Sequence, residues 1–348
     1  MHQDTLKFYK YVPTKKPIYK GKFCREPFEI IQIDKDGDVQ LCSCQLHMPY
    51  TIGNIYKSSM QEIWLGESAD RVRQAVIDED FTYCNWACNK LPILPPRPET
   101  IPAVADFPKV IKIDMDLSCN LHCPSCRENP IIEKNSEKIK NQVKIFEEIK
   151  SWAVQNPQRT ITVIPMASGE IFASPSGIQF LYSLSNMTTT NLKLKITTNG
   201  TLINRNQDLL YKIRNQIQQF SISIDASTPE TYALVRGGDW QELQKGLEFV
   251  RDKIKLPMAF SFCIQKNNWH EIEEFAEYAN LFNANIGYQK LLDWGHWTID
   301  WWHDNNVFDR KKSSFTLALK SLSNVRHKYP RKIITSAELT KYLEKQNL

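Results

Sequence analysis

From Val110 onward, short apolar runs alternate with longer amphipathic ones. Val110–Met115, Ile161–Met166, Leu192–Thr197, Phe220–Asp225, Met258–Ile264 and Asn285–Gln289 are rich in Ile, Val, Leu and Phe and read as strands. Glu137–Gln155, Asp208–Gln218, Trp240–Lys253 and Trp269–Phe282 carry apolar residues at helical spacing. Six strand–helix alternations predict a parallel sheet whose ligands gather at the C-terminal ends of the strands.

Six units are too few to close an eight-stranded barrel. The predicted fold is therefore α/β, an open, partial (β/α)6 TIM-like barrel over residues 109–292. Upstream the pattern differs. Ile30–Ile33 and Val39–Leu41 alternate about Asp36-Gly37-Asp38, which predicts a β-hairpin, and residues 1–90 form a small cysteine-rich α+β domain. Six prolines between Leu91 and Pro108 (Pro92, Pro95, Pro96, Pro98, Pro102, Pro108) predict a stiff linker. Residues 293–348 form an aromatic and helical extension, with basic helices at Lys311–Lys328 and Ala337–Gln346.

The 348 residues, 42% hydrophobic and 24% charged, are those of a soluble globular protein. A net charge of +5, spread along the chain, calls for neither nucleic acid nor an anionic membrane as partner. Met1 to Lys20 lacks the apolar core of a signal peptide, and no run approaches the roughly 18 apolar residues of a membrane span. A cytoplasmic location follows, where thiols stay reduced. Metal then explains the nine cysteines better than disulfides. Eight lie between Cys24 and Cys126; Cys263, inside an apolar strand, reads as a buried small hydrophobe.

Cys119, Cys123 and Cys126 form a C-x3-C-x2-C motif directly after the first barrel strand. Zinc or a saturated cubane takes four protein ligands; three thiolates leave one iron open to an external ligand. A zinc site completed by His122 is the alternative. Upstream, Cys24-x12-Gly-x4-Cys42 supplies two thiols from the hairpin, and Cys84-x3-Cys88 two more after a helical stretch containing Met60–Trp64. Cys44 is a fifth thiol able to replace Cys42 or Cys88. Spacing alone does not separate zinc from iron here.

Other polar residues cluster at strand ends. Ala167-Ser168-Gly169-Glu170 follows the second strand, Thr197-Thr198-Asn199-Gly200 the third, and Ser221, Ser223 and Asp225 share one face of the fourth. Tyr232 and Arg236-Gly237-Gly238 come next. Gln265, Asn267 and Gln289 end the fifth and sixth strands. Trp294, Trp297, Trp301 and Trp302, with His296 and His303, read either as packing for the open barrel edge or as a substrate mouth.

Residues 108–292 together resemble the radical SAM superfamily, and residues 24–88 resemble a SPASM/Twitch domain, placed before the barrel instead of after it. The resemblance implies a catalytic [4Fe–4S] cluster on Cys119, Cys123 and Cys126, chelated by S-adenosylmethionine. It implies cofactor contacts from Ser168, Gly169, Glu170, Thr198, Asn199, Ser221, Ser223, Asp225, Arg236 and Gln265. Glu170 would take the methionine ammonium; Ser223 would contact the ribose or the methionine end; Arg236 would pair with the methionine carboxylate or with Asp225. Ser125 replaces the aromatic residue that many members carry before the third cysteine. The resemblance further implies an auxiliary [4Fe–4S] cluster on cysteines drawn from Cys24, Cys42, Cys44, Cys84 and Cys88, and an external electron donor of the flavodoxin or ferredoxin type. The expected activity is cleavage of S-adenosylmethionine to a 5′-deoxyadenosyl radical that abstracts hydrogen from a substrate. That substrate is a peptide or protein side chain, or alternatively a sugar, nucleotide or other small metabolite. A non-catalytic iron–sulfur or zinc protein is the reading from another class.

Overall fold

The computed structural model describes residues 19–44, 47–85, 88, 90–114, 116–165, 168–187, 189–291, 297–335 and 337–345. Its strands are β1 (Ile30–Ile33), β2 (Asp38–Gln40), β3 (Gly53–Asn54), β4 (Val110–Ile113), β5 (Ile161–Pro165), β6 (Leu192–Thr198), β7 (Ile217–Ser223), β8 (Met258–Ile264), β9 (Asn285–Lys290) and β10 (Ile333–Thr335). The chain divides into two compact units. The first comprises Met1–Leu117, Glu133–Gly169 and Ser174–Lys195; the second comprises Ser118–Ile132, Glu170–Ala173 and Ile196–Leu348.

In the first unit the strand order is β3-β2-β1-β4-β5-β6. The hairpin forms because Asp34 Oδ1 accepts from the backbone N–H groups of Asp36 and Asp38, while Gly37 adopts φ +80°. A Cβ on Gly37 would lie 2.5 Å from the Tyr56 ring, so glycine is needed for both reasons. β1 pairs antiparallel with β2 but parallel with β4, Ile30 opposite Val110. The hairpin therefore extends the barrel's first strand within one sheet, a junction the sequence pattern does not predict. The helix Met60–Trp64 starts at a Ser59–Glu62 capping box. Arg73 from the next helix, Glu67–Ile77, is buried; it donates to the Pro27 and Trp64 carbonyls and stacks on the Trp64 ring.

The expected proline linker is not a free spacer. Leu91 and Leu94 join Phe23, Phe28, Val76, Phe81 and Cys88 in one buried cluster. Arg97 N–H donates to the Gly21 carbonyl, and Trp64 Nε1 to that of Ala105. The segment opens with a 3-10 turn at Leu91–Ile93, and leucines at its start anchor it.

In the second unit β7, β8, β9 and β10 are ordered in sequence and parallel. Phe220, Ile222, Phe260, Phe262 and Phe275 are buried on one side. Register places Ser221 and Ser223 of β7 beside Ala259 and Ser261 of β8, and Cys263 beside Gln289 of β9. That face is half-buried and lined by small residues. Cys263 belongs to it, so it is not the core hydrophobe expected. The strand order ends at β3 and at β10, so the sheet is open, as a partial (β/α)6 barrel requires.

Element limits differ locally. The helix expected at Asp208–Gln218 spans Gln207–Lys212, because Ile217 is already the first buried residue of β7. The Trp240–Lys253 helix passes at Val250 into a π-helical turn closed by left-handed Lys255. Met115 and Met166, the expected strand ends, lie outside the described residues, as do Ala167 and Asp293–His296.

Candidate functional site

The three-cysteine loop lies in the second unit. Cys119 exchanges two backbone hydrogen bonds with Ile131 at 2.6 and 3.1 Å, closing the loop at its neck. A turn follows in which Cys126 and Arg127 N–H groups donate to the Cys123 carbonyl. Cys119 and Cys123 are buried and Cys126 is exposed. Burial pushes the Cys119 and Cys123 thiols up; the Arg236 guanidinium opposes this at both. Arg127 reaches Cys126 Sγ at 3.4 Å.

Two strand-end motifs brace this loop. The Glu170 N–H donates to the Ser118 carbonyl at 2.7 Å. The Glu170 side chain is 1% exposed, and its oxygens accept from Thr198 Oγ1 (2.9 Å), Asn199 N (2.6 Å) and Phe172 N (3.2 Å). These donors are all neutral, so burial still lifts its pKa to about 7. Asn199 Nδ2 donates to Asn120 Oδ1 and lies 3.8 Å from Cys119 Sγ, while Asn120 Nδ2 donates to Thr201 Oγ1. Gly200, at φ +83°, makes the turn that permits this; a Cβ there would lie 2.5 Å from Leu243.

Beyond β7, Asp225 is buried with φ +61°. Its Oδ1 accepts from Cys263 N at 2.6 Å, and its Oδ2 from Arg236 Nη1 at 3.0 Å. Burial raises the Asp225 pKa against the pull of Arg236. Burial disfavours the Arg236 charge, but the Cys123 thiol and Asp225 more than offset it, so its pKa rises. Of the two partners expected for Arg236, Asp225 is the one observed. Ser221 and Ser223 are half-buried. Gln265 is buried, whereas Asn267 and Gln289 are exposed. Ser168 and Gly169 fall in the first unit.

Among the described residues of the second unit, Tyr232 Oη, Arg236 Nε and Gln265 Nε2 are buried without a hydrogen-bond partner. Such groups are costly unless a ligand satisfies them. A carboxylate without a cation and three spare hydrogen-bonding atoms suit a zwitterion carrying a nucleoside, which fits S-adenosylmethionine. Sequence reasoning missed Asn120 and named Tyr232 without giving it a role. Asn120 sits inside the cysteine motif, and Tyr232 lies one helical turn before Arg236-Gly237-Gly238.

The second candidate centre lies in the first unit. Cys24, Cys42, Cys84 and Cys88 line one cavity with Glu26, His47 and Lys90. Glu26 ties three cysteine-bearing segments together. It accepts from Ser43 N (2.9 Å), Ser43 Oγ, Lys90 Nζ and the Cys42 thiol (3.2 Å). Asn85 N–H, within the Cys84–Cys88 stretch, donates to the His47 carbonyl at 2.7 Å. Cys44 is not among the lining residues; its hydrogen bond to His47, followed by that from Cys88, lifts the imidazole pKa to about 10. Neither Glu26, His47 nor Lys90 carries a sequence signal beyond proximity to the cysteines. Among the described residues, no three His, Cys, Asp or Glu side chains converge as ligands of a single ion would. A cubane does not require that convergence, since it spreads its thiolates over separate irons. Four thiols around one cavity are the right donor set for it.

Comparison with known proteins agrees with both centres. Residues 117–279 match the radical SAM superfamily, and residues 24–89 match SPASM, an iron–sulfur cluster-binding domain. A probable GTP 3′,8-cyclase of Methanococcus aeolicus is 22% identical over 227 residues, 64% of this chain and 73% of the relative. An AdoMet-dependent heme synthase of Methanosarcina barkeri is 26% identical over 191 residues, 52% of this chain and 50% of the relative. Streptococcus suis SuiB bound to S-adenosylmethionine superposes with a TM-score of 0.45 at 13% identity, covering 77% of this chain and 55% of SuiB. The chain thus spans about half the length of the heme synthase and of SuiB.

Proposed function

The chain is a radical SAM enzyme with an N-terminal SPASM domain, and on that premise we propose how its residues divide the work. Such an enzyme uses a [4Fe–4S] cluster with S-adenosylmethionine, an auxiliary iron–sulfur cluster, a reductant and a substrate. The bound catalytic cluster supplies the electron that splits S-adenosylmethionine into methionine and a 5′-deoxyadenosyl radical.

We assign Cys119, Cys123 and Cys126 to the catalytic cluster. Glu170 holds the methionine ammonium, with Thr198 and Asn199 fixing its carboxylate. Arg236, oriented by Asp225, turns its free Nε to the methionine carboxylate. Tyr232, Gln265, Ser221 and Ser223 face the nucleoside. The observation that carries this reading is the set of unpartnered buried atoms in the unit that holds Glu170 and the three thiols. Cys24, Cys42, Cys84 and Cys88 hold the auxiliary cluster, and Cys44 stands outside it. The domain limits are 1–90, 91–108, 109–292 and 293–348. No helix among the described residues is long and apolar enough to cross a membrane.

The electron donor is of the flavodoxin or ferredoxin type. The substrate is a peptide or protein side chain, a reading that rests on the resemblance of residues 24–88 to SPASM/Twitch domains. A small metabolite is the second reading, favoured by two relatives named for GTP cyclisation and heme synthesis. Anaerobic reconstitution, reduction and assay for 5′-deoxyadenosine test the activity. Iron-loaded, reduced protein that forms none contradicts it and leaves a non-catalytic iron–sulfur protein. Product analysis on a peptide library and on nucleotides then separates the two substrate classes.

A further inference from the structure

A row of polar side chains crosses β2, β1 and β4 in the first unit, away from the residues assigned above. Register sets Gln40 opposite Gln32, and Gln32 opposite Lys112, so the three share a face of the sheet. Asp114, two residues past Lys112, continues the row. Gln32, Gln40 and Asp114 are 4%, 2% and 5% exposed, although the strands around them bury Ile31, Ile33, Val39, Ile111 and Ile113 on the other face.

The row is internally connected but not satisfied. Gln32 Nε2 donates to Asp114 Oδ2 at 2.6 Å. Lys112 Nζ donates to the Ser43 carbonyl at 3.2 Å and lies 3.6 Å from Asp114 Oδ2. Gln32 Oε1, Gln40 Oε1 and Asp114 Oδ1 are buried and accept from nothing. The unpaired atoms are all acceptors, while Gln32 Nε2 and Lys112 Nζ each already give one hydrogen bond. A complementary group must donate and need accept nothing in return. Ammonium and guanidinium have that character, and a carboxylate among the acceptors favours a cation. At the three unpaired oxygens a phosphate or carboxylate would set acceptor against acceptor. Ser43 joins this row to the cysteine cavity, since its backbone and hydroxyl also bind Glu26 and Lys90.

We propose that Gln32, Gln40, Lys112 and Asp114 form a substrate-recognition subsite for a cationic nitrogen group, adjoining the auxiliary cysteine cavity. The inference rests on the reading of the chain as a radical SAM enzyme that acts on a substrate. It narrows the substrate class to molecules or side chains bearing an amine or a guanidine.

The test uses reconstituted full-length protein under anaerobic conditions, with methylguanidine, n-butylamine and acetate as probes in ligand-observed NMR titrations. The cations should bind and acetate should not. Which cation binds more tightly tells guanidinium from ammonium. Gln40→Leu and Asp114→Asn should each weaken the preferred cation about tenfold. Gln40→Glu should strengthen it severalfold, a gain that misfolding does not produce. Equal binding of acetate, no binding of either cation, or unchanged affinity in all three variants overturns the subsite. So does a crystal structure in which a water alone bridges the three oxygens and persists through methylguanidine soaking. Wild-type protein that forms 5′-deoxyadenosine but ignores the cations refutes this inference alone. Protein that binds them but forms none refutes the functional reading instead.

Discussion

The two cysteine centres are built in opposite ways. The catalytic triplet spans eight residues of one loop, and most of its support comes from strand ends far away in sequence: Glu170, Asn199 and Thr201. The auxiliary four come from three separated stretches, and their support is close by: Glu26 beside Cys24, Ser43 beside Cys42, and Lys90 near Cys88. A centre meant to keep one iron open gains from a short motif whose free side is walled by ligand-binding strand ends. A centre meant to be saturated has to be assembled, and needs a clamp on each segment.

The sharpest way to break this comparison is to remove thiols from each side in turn. Cys123→Ala should abolish 5′-deoxyadenosine formation, by at least about 10³-fold, while keeping auxiliary iron. Cys84→Ala with Cys88→Ala should remove about half the iron and leave reductive cleavage of S-adenosylmethionine intact. Iron analysis and product assay on the same samples decide it; equal iron loss in both would merge the two centres.

Arg236→Met leaves Asp225 as an unpaired buried charge and should cost about 3–5 kcal/mol, read by denaturant titration. Asp225→Asn in the same background should recover part of the loss.

Glu170 supplies the next effect. Burial raises its pKa above the ordinary 4.5 to about 7. Its contribution to folding of the cofactor-free protein is therefore full below pH 4.5 and lost as pH rises through about 7, up to about 3 kcal/mol. The methionine ammonium prefers the carboxylate, so affinity for S-adenosylmethionine should rise with pH up to about 7, at most about tenfold per unit. Glu170→Gln should bind more weakly and flatten both profiles; a wild-type affinity constant from pH 6 to 8 contradicts the assignment.

The smallest effects sharpen the auxiliary side. Glu26→Ala should loosen the clamp by about 1–2 kcal/mol, because Lys90 remains partly solvated. Its signature is faster iron loss to a chelator. Cys44→Ser should leave iron content and the cluster spectrum unchanged. A changed spectrum would return Cys44 to the ligand set.

Much of this was legible because it is local. Six strands appear within two or three residues of their expected limits, since β-branched and aromatic runs bounded by turn residues carry a strong signal. The hairpin and the triplet are equally local. What the sequence hid depends on partners distant along the chain. Nothing in Ile30–Ile33 says that it pairs with Val110–Ile113. Cys263 read as core because its neighbours Phe262 and Ile264 are buried, yet alternation turns it to the other face, with Ser261. The leucines that pin Leu91–Pro108 were masked by its prolines. Among five upstream thiols, only folding distinguishes Cys44 from the four that line a cavity.

The parallel pairing of β1 with β4 has a consequence for how the chain is made. During synthesis the hairpin leaves the ribosome well before Val110–Ile113 exists, so β1 must wait with one edge bare. Closing that long-range pair is a slow, high-contact-order step. A nascent or truncated fragment ending near residue 100 should be sticky, and expressing the cysteine-rich region alone should need a chaperone or a solubilising fusion. A circular permutant placing residues 19–108 after the last helix would lose the covalent path that delivers β1 to β4.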